Sequence, residues 1–218
     1  KNSGDMPIEI WYEEESPVME QIKITSLSID RDIRFVQKSR VDLSEYIPAK
    51  FIDEKSSHNV GFKLYNLCKE EDPFIFVDAD AIILKSLDYL VDRATKPIIM
   101  IDHQTIKGHT DFLPYKFLNS GVQICADPSF LNFNEIIKSF LKAGGYQCPG
   151  TDQAMLFGHF RSLGYDYTHP EIGSEWNHCA GVETPLEEIC MNHYWYKFKP
   201  WDINCKLWNQ FVTGETVR

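Results

Sequence analysis

The hydrophobic positions of this chain fall into short apolar runs separated by amphipathic stretches, an alternation typical of an α/β domain. The apolar runs predict five strands, at residues 6–12, 33–36, 74–77, 97–101 and 117–125. The amphipathic stretches predict three helices, at residues 61–70, 134–143 and 152–163, the last closed by Gly164 as a C-cap. The polar segment 38–58, interrupted by Pro48, is expected to be a surface excursion or a flexible flap.

The third strand ends in two carboxylates spaced one residue apart. The uniformly apolar run at 74–77 predicts a fully covered central strand, and Asp78 and Asp80 follow where it leaves the sheet. Open α/β sheets bind ligands at the carboxyl ends of their strands. Strand alternation would point both acids the same way, so both could reach one hard divalent cation. Acids also close strands as solvated turn residues, so this pattern alone leaves the question open.

The last predicted strand, 117–125, is interrupted by small polar residues. Asn119, Ser120 and Gly121 lie within it, and a glycine in a strand lets a ligand approach the backbone closely. The segment 170–185 is expected to be a loop that carries Trp176 and Asn177. An aromatic ring in this loop could stack on an acceptor sugar, and packing in the core is the alternative.

Two further segments add residues that suit the chemistry of a charged ligand. Thr151 is a plausible N-cap for the third helix, which places Asp152 and Gln153 in its first turn. Near the end of the chain, His193 precedes Lys199 within a cluster of aromatic residues. An imidazole can bind a metal ion, and a lysine can bind a phosphate.

Taken in this order, these segments resemble the retaining nucleotide-sugar glycosyltransferases of family eight, the glycogenin and galactosyltransferase type, from about Gly61 onward. The resemblance implies an α/β fold of the GT-A type, a Rossmann-like mixed central sheet flanked by helices, in a single domain over residues 1–218. It also implies a hexosyltransferase that moves a sugar from a UDP-sugar to a hydroxyl of a glycan or protein-linked glycan, with retention at the anomeric carbon. The implied cofactor is Mn²⁺ or Mg²⁺.

The metal site of that family maps onto three residues of this chain. Asp78 and Asp80 match its Asp-x-Asp motif, and His193 matches the histidine that opens its closing His-x-x-Gly-x-x-Lys-Pro-Trp signature. Lys199 matches the lysine of that signature, which grips the donor diphosphate. The glycine of the signature is Tyr196 here, and a bulky residue would change how the loop closes over the diphosphate.

The donor and catalytic positions are implied in the same way. The segment 119–121 matches the Asn-[Ser/Ala]-Gly segment that lines the donor sugar pocket, and Asp78 also contacts the donor. Asp152 and Gln153 match the Asp-Gln pair beside the anomeric carbon, which makes them the candidate catalytic residues. Lys63 resembles the basic donor-binding residue on the helix that precedes the metal strand.

The beginning of the sequence departs from the GT-A pattern. These domains usually open with a strand and a helix that bind the nucleotide base, and residues 6–12 resemble the strand that comes next. We therefore expect the first nucleotide-binding strand to be missing or atypical, and the residues that hold the base stay unassigned.

Composition agrees with this class without specifying it. A chain of 218 residues with 43% hydrophobic content suits one large domain with a sizeable core. No segment reaches the apolar length of a transmembrane helix. A net charge of -10 argues against a nucleic-acid partner, although a metal ion and local lysines can reverse the field inside one cleft. Six cysteines without zinc-like spacing predict free, mostly structural thiols, and their even number leaves disulfides possible if the protein is secretory. The compartment stays unresolved, with a lean to a reducing one, the cytoplasm.

Two other classes remain open. A haloacid-dehalogenase-like phosphatase also has Asp-x-Asp after an apolar strand, with the first acid as its nucleophile. That motif normally lies near the start of the chain, and no later Gly-Asp-x-x-x-Asp-like motif occurs here. The third class is a noncatalytic module that binds sugar nucleotides.

Overall fold

The structure is a computed structural model that describes residues 6–27, 31–102, 118–144, 151–180, 184–194 and 199. Its contacts cluster the chain into two compact units. The first comprises Lys1–Glu71 and Pro128–Leu163, and the second comprises Asp72–Asp127 and Gly164–Arg218. The single domain over residues 1–218 stays a prediction.

The first unit opens with two parallel strands, β1 (Ile8–Tyr12) and β2 (Ile33–Gln37). Parallel neighbours need a crossover connection, which the helix Pro17–Ser26 supplies. Both strands are confirmed, with ends within two residues of the predicted ones. The helix was not predicted, because apolar residues such as Val18 and Ile24 are exposed and give no clear buried face.

A continuous helix spans residues 54–67, with a π-helical middle at Ser57–Leu64. Asp53 caps it by accepting a hydrogen bond from the backbone N–H of Ser56. Val60 and Leu64, one turn apart, are buried on its inner face. The predicted helix at 61–70 therefore exists but begins seven residues earlier, because Asp53 provides the start signal.

The segment 38–58 lies largely at the surface, as predicted, but a few of its residues are buried in the core. Leu43 and Ile47 are each only 2% exposed. Tyr46 packs edge-on against Phe133, with ring centroids 5.2 Å apart. Two short 3-10 turns, Leu43–Glu45 and Ala49–Phe51, carry the segment. A few apolar residues among many polar ones thus belong to the core of the first unit.

The helix Phe133–Lys142 is confirmed within one residue. Asn132 caps it, since its side-chain oxygen accepts a hydrogen bond from the backbone N–H of Glu135. Ile136 and Phe140 are buried one turn apart, as expected for an amphipathic helix.

The helix Thr151–Ser162 corrects one detail of the prediction. Thr151 is its first residue rather than the N-cap before it, and Asp152 lies in the first turn as predicted. Gly164 has a φ of 62°, the left-handed conformation of a C-cap glycine, which confirms its predicted role.

The second unit contains two described sheets of three strands. Their strands are β3 (Phe74–Val77), β4 (Ala81–Ile83), β5 (Ile98–Asp102), β6 (Leu118–Cys125), β7 (His178–Cys179) and β8 (Met191–His193). One sheet has the order β3-β6-β5 and is antiparallel throughout. The other has the order β4-β8-β7, with β4 antiparallel and β7 parallel to β8. Parallel and antiparallel pairs together with helices confirm the mixed α/β class.

Strand β3 is not the fully covered central strand that its apolar run predicted. Its four residues are only partly buried, and it stands at the end of the described strand order, with β6 on one side. The core lies on β5 and β6 instead, where Ile99, Ile101 and Val122 are at most 1% exposed. An apolar run alone does not distinguish an edge strand from a central one.

The predicted loop at 170–185 contains a 3-10 helix, Ser174–Asn177, followed by β7. Trp176 is 3% exposed, belongs to the core of the second unit and stacks on Tyr89 with ring centroids 5.5 Å apart. The alternative of core packing is therefore correct for this tryptophan, because a buried ring offers no face to a sugar.

Four cysteines lie in the described part of the chain and all are free thiols, as predicted: Cys68, Cys125, Cys179 and Cys190. Burial raises the pKa of Cys125 to about 12, so this thiol stays protonated and unreactive. Within the described residues, none of the helices has the length and apolar character needed to cross a membrane.

Candidate functional site

Asp78 and Asp80 lie in the turn that joins β3 to β4. The turn is closed by a 3.1 Å hydrogen bond from the N–H of Ala81 to the carbonyl of Asp78. It is also held from outside, because the N–H of Asp78 donates to the carbonyl of Gly121 and the N–H of Tyr194 donates to the carbonyl of Asp80. The two carboxylates therefore converge because this turn is anchored. Alternation along a strand was the predicted reason for their convergence, and that reason is wrong.

His193 is the last residue of β8 and pairs with Ala81 of β4. Its side chain is 1% exposed, and its Nε2 lies 3.1 Å from Oδ1 of Asp80 and 3.7 Å from Oδ2 of Asp78. One ligand atom from each of the three side chains lies within 4.8 Å of the others. The structure thus brings together the three residues that the sequence predicted as a metal site.

The other ring nitrogen of His193 contacts a residue that sequence reasoning gave no role. Nδ1 lies 2.9 Å from Oδ1 of Asn177, and Nδ2 of Asn177 donates a 2.8 Å hydrogen bond to the carbonyl of Ile101. Asn177 is fully buried. The only signal in the sequence is its position between two large residues, which does not reveal the contact.

Gly121 packs directly against the imidazole of His193. A Cβ at this position would lie 2.1 Å from Cε1 of His193 and 2.7 Å from Oδ1 of Asn119, so only glycine fits. Asn119 Oδ1 accepts a hydrogen bond from the N–H of Gly121, and the carbonyl of Ser120 accepts one from Gln123. The predicted donor-binding segment 119–121 therefore lies beside His193, the candidate metal ligand.

Lys199 contacts the same cluster, with its Nζ 2.5 Å from Oδ2 of Asp80. Burial opposes ionisation of Asp80, but the close polar contacts of its carboxylate with His193 and Lys199 outweigh it and hold the pKa of Asp80 well below its usual range. Asp80 is thus ionised at neutral pH and available to a cation. Lys199 is placed in the site, and its contact with a diphosphate stays a prediction.

In the first unit, the structure brings together two other predicted residues. Nζ of Lys63, on the helix at 54–67, lies 3.4 Å from Oδ2 of Asp152, and the two side chains are 11% and 2% exposed. Asp152 lies in the first turn of its helix, where the helix dipole favours a carboxylate. Gln153 beside it is partly buried. Their donor-binding and catalytic roles stay predictions.

The cluster of Asp78, Asp80 and His193 has the donor atoms that a divalent cation requires. Two carboxylates and one imidazole suit Mn²⁺, and carboxylates with water suit Mg²⁺, whereas Ca²⁺ prefers an all-oxygen shell. The ammonium of Lys199 already occupies one face of Asp80 as a counter-charge. The geometry and the charge of the cluster therefore fit a cation.

No family model and no curated protein matches this chain in sequence. Solved structures do match it, and they define the fold as that of glycosyltransferases of the GT-A type, as predicted.

Two of them are the apo form of the glycosyltransferase GlyE from Streptococcus pneumoniae TIGR4 and the apo form of the bifunctional glycosyltransferase WbbM. GlyE has a TM-score of 0.59 and 16% identity, covering 94% of this chain and 52% of its own. WbbM has a TM-score of 0.57 and 15% identity, covering 94% of this chain and 43% of its own. This chain thus spans about half of these proteins or less, and membership of family eight stays a prediction.

Proposed function

We propose that this protein is a metal-dependent glycosyltransferase that transfers a hexose from a UDP-sugar to a hydroxyl of a glycan or protein-linked glycan, with retention. The observation that carries this proposal is the convergence of Asp78, Asp80 and His193 at the end of β3, within a fold shared with glycosyltransferases. The resemblance in the sequence motifs supports the donor class and the stereochemistry.

The charged residues of the second unit are suited to the leaving diphosphate. Asp78, Asp80 and His193 would hold Mn²⁺ or Mg²⁺, which supplies Lewis-acid stabilisation of negative charge when bound. Lys199 would exchange its contact with Asp80 for one with the diphosphate, where its ammonium offsets the charge that develops on bond cleavage. Asn119, Ser120 and Gly121 would line the donor sugar.

For the residues of the first unit, the family resemblance supports roles at the donor sugar. Cleavage of the anomeric C–O bond gives the sugar oxocarbenium character, which an amide or carboxylate oxygen stabilises. We assign this role to Gln153 and Asp152, and donor binding to Lys63. The acceptor hydroxyl attacks from the face that the diphosphate leaves, and the leaving phosphate oxygen takes its proton, which gives retention.

A donor panel tests the proposal. UDP release is measured from several UDP-sugars with Mn²⁺ and oligosaccharide acceptors, and phosphate release from phosphomonoesters is measured in parallel. We expect UDP release from at least one donor, and we expect chelation to abolish it. Phosphate release without UDP release would identify a phosphatase instead. Binding of UDP-sugars without turnover would identify a noncatalytic module.

A further inference from the structure

The imidazole of His193 lies between two carboxylates on one side and a side-chain amide on the other. Its Nε2 faces the carboxylates of Asp78 and Asp80, and its Nδ1 faces the amide oxygen of Asn177. The orientation of that amide follows from its second contact. One end of the Asn177 amide lies 2.8 Å from the carbonyl oxygen of Ile101, and a carbonyl oxygen can only accept a hydrogen bond. The NH₂ group of Asn177 is therefore at that end, and its amide oxygen points to His193.

An amide oxygen is also only an acceptor, so the hydrogen between Asn177 and His193 must be carried by Nδ1. The lone pair of a neutral imidazole is then on Nε2, the nitrogen that lies 3.1 Å from Asp80. The imidazole and the carboxylates consequently direct three electron pairs toward the same region. That arrangement is favourable when a cation lies between them.

A second buried histidine shows that this arrangement is specific. Nδ1 of His178 lies 3.0 Å from the amide oxygen of Asn192, but its Nε2 lies 2.9 Å from the hydroxyl of Thr184. Both ring nitrogens of His178 therefore contact neutral polar groups, as in a histidine with a structural role. His193 and His178 have the same kind of amide partner and differ in what the opposite nitrogen faces.

We propose that Asn177 is a positioning residue for the metal site: by accepting the Nδ1 hydrogen of His193, it fixes the tautomer and the ring orientation that aim Nε2 at Asp78 and Asp80. This inference rests on the metal site of the proposed function. Gly121 also holds the ring of His193 in place, because its missing side chain lets the ring lie against the backbone of β6. In metalloproteins generally, the loss of such a partner lowers metal affinity by about 10–100-fold. We expect a factor of about that size here.

Two substitutions at Asn177 separate positioning from stability. Asn177→Leu removes both hydrogen bonds, whereas Asn177→Asp keeps an acceptor for Nδ1 and loses the donor to Ile101. We expect both variants to melt at lower temperature than the wild type. The affinity for Mn²⁺ alone, measured by calorimetry on the full chain, should fall about 10–100-fold in Asn177→Leu and stay within about threefold in Asn177→Asp.

The matched control is Asn66→Leu. Asn66 is another buried amide, which donates to the carbonyls of Ser39 and Phe62. Its loss should lower the melting temperature without changing the affinity for Mn²⁺. Equal weakening in Asn177→Leu and Asn66→Leu, or in Asn177→Leu and Asn177→Asp, would overturn the positioning role.

Nitrogen-15 NMR of the histidine rings in the metal-free wild type supplies a readout that does not depend on the metal. We expect His193 to carry a slowly exchanging hydrogen on Nδ1, and a ring without that hydrogen would overturn the proposal even if the variants fail to fold. If the wild type bound no Mn²⁺, the metal site of the proposed function would fail, while the NMR result would still decide whether Asn177 fixes the tautomer of His193.

Discussion

Two regions of this protein place a lysine against a carboxylate that is at least partly buried, and they differ in charge balance. In the first unit, Lys63 and Asp152 form a pair of one positive and one negative charge, with side chains 11% and 2% exposed. In the second unit, Lys199 contacts Asp80, but Asp78 adds another negative charge and His193 adds an imidazole. Among the residues that the structure describes, the two charges of the first region balance, and the second region holds one more carboxylate than lysine.

The difference shows that burial of an acid does not by itself indicate a cation site. Asp152 is more deeply buried than Asp80, yet its helix dipole and Lys63 already stabilise its charge. Asp80 lies in a turn where backbone hydrogen bonds bring a second acid beside it. The signal for a cation is the excess of negative charge and its fixed position, and this contrast can be tested.

The largest effect is expected when the neutral pair of Lys63 and Asp152 is broken, and it is an effect on the stability of the protein. Lys63→Met leaves the carboxylate of Asp152 buried without its lysine, which should lower the free energy of unfolding by about 3–5 kcal/mol in urea titrations. The control is Lys138→Met, since Lys138 pairs with Glu135 on the surface and its loss should cost at most about 1 kcal/mol. Equal losses in both variants would show that the buried pair is not special.

The second prediction concerns the region with excess negative charge. Asp80→Asn removes a ligand directly, so its effect on Mn²⁺ affinity should exceed the loss from an outer partner, at least about 100-fold. That factor corresponds to about 2.7 kcal/mol. Calorimetry would measure it, with Asp92→Asn, an exposed acid, as the matched control. Unchanged Mn²⁺ binding by Asp80→Asn would refute the metal site.

The third prediction concerns a catalytic role for Asp152 of the neutral pair and for its neighbour Gln153. Gln153→Ala and Asp152→Asn should each lower kcat at least about tenfold, or about 1.4 kcal/mol of barrier, while UDP-sugar affinity changes little. The reason is that their oxygens interact most strongly with the positive charge of the transition state. Steady-state kinetics with a productive donor would measure this. A lowered melting temperature with normal kcat would leave both residues with a structural role only.

The smallest effect involves a buried histidine outside the acidic cluster. Burial lowers the pKa of His159, with Glu135 opposing the shift, so this ring takes up a proton less readily in the folded protein than in the unfolded chain. The unfolded chain takes up the proton as the pH falls through about 6.5, and stability is therefore present above that pH and lost below it. The slope from this group is at most about 1.4 kcal/mol per pH unit.

Urea titrations between pH 5 and pH 8, roughly the range in which histidine changes charge, would measure the slope. His159→Gln should flatten the acid side of the stability profile. The exposed His58 provides the control, since His58→Gln should leave the profile in place. An unchanged slope in His159→Gln would show that other groups dominate this range.

Local patterns predicted the longer elements and the acids of the site. The strands at 74–77 and 117–125 follow from apolar runs, and the resemblance selected Asp78, Asp80 and His193. The short strands β4, β7 and β8 were missed, because two or three residues leave no period and form only through long-range pairing.

The contact of Asn177 was missed for a related reason. Its importance depends on where the chain brings His193 and the carbonyl of Ile101, and neither is near it in sequence. Likewise, the pairing of Lys63 with Asp152 joins two helices whose separate patterns carry no record of it. Sequence patterns report periodicity and local signals, whereas these contacts follow from packing.

The pairing of Ala81 with His193 has a consequence for how the chain holds itself closed. Asp80 and His193 are 113 positions apart, so only the chain with β8 seated on β4 presents both to one ion. An ion that binds this state and not the unfolded one shifts the equilibrium by mass action, by about 2.7 kcal/mol at one hundred times its dissociation constant. Such an ion would act as a reversible cross-link between two distant positions of the chain, and detachment of β8 from β4 would break that cross-link.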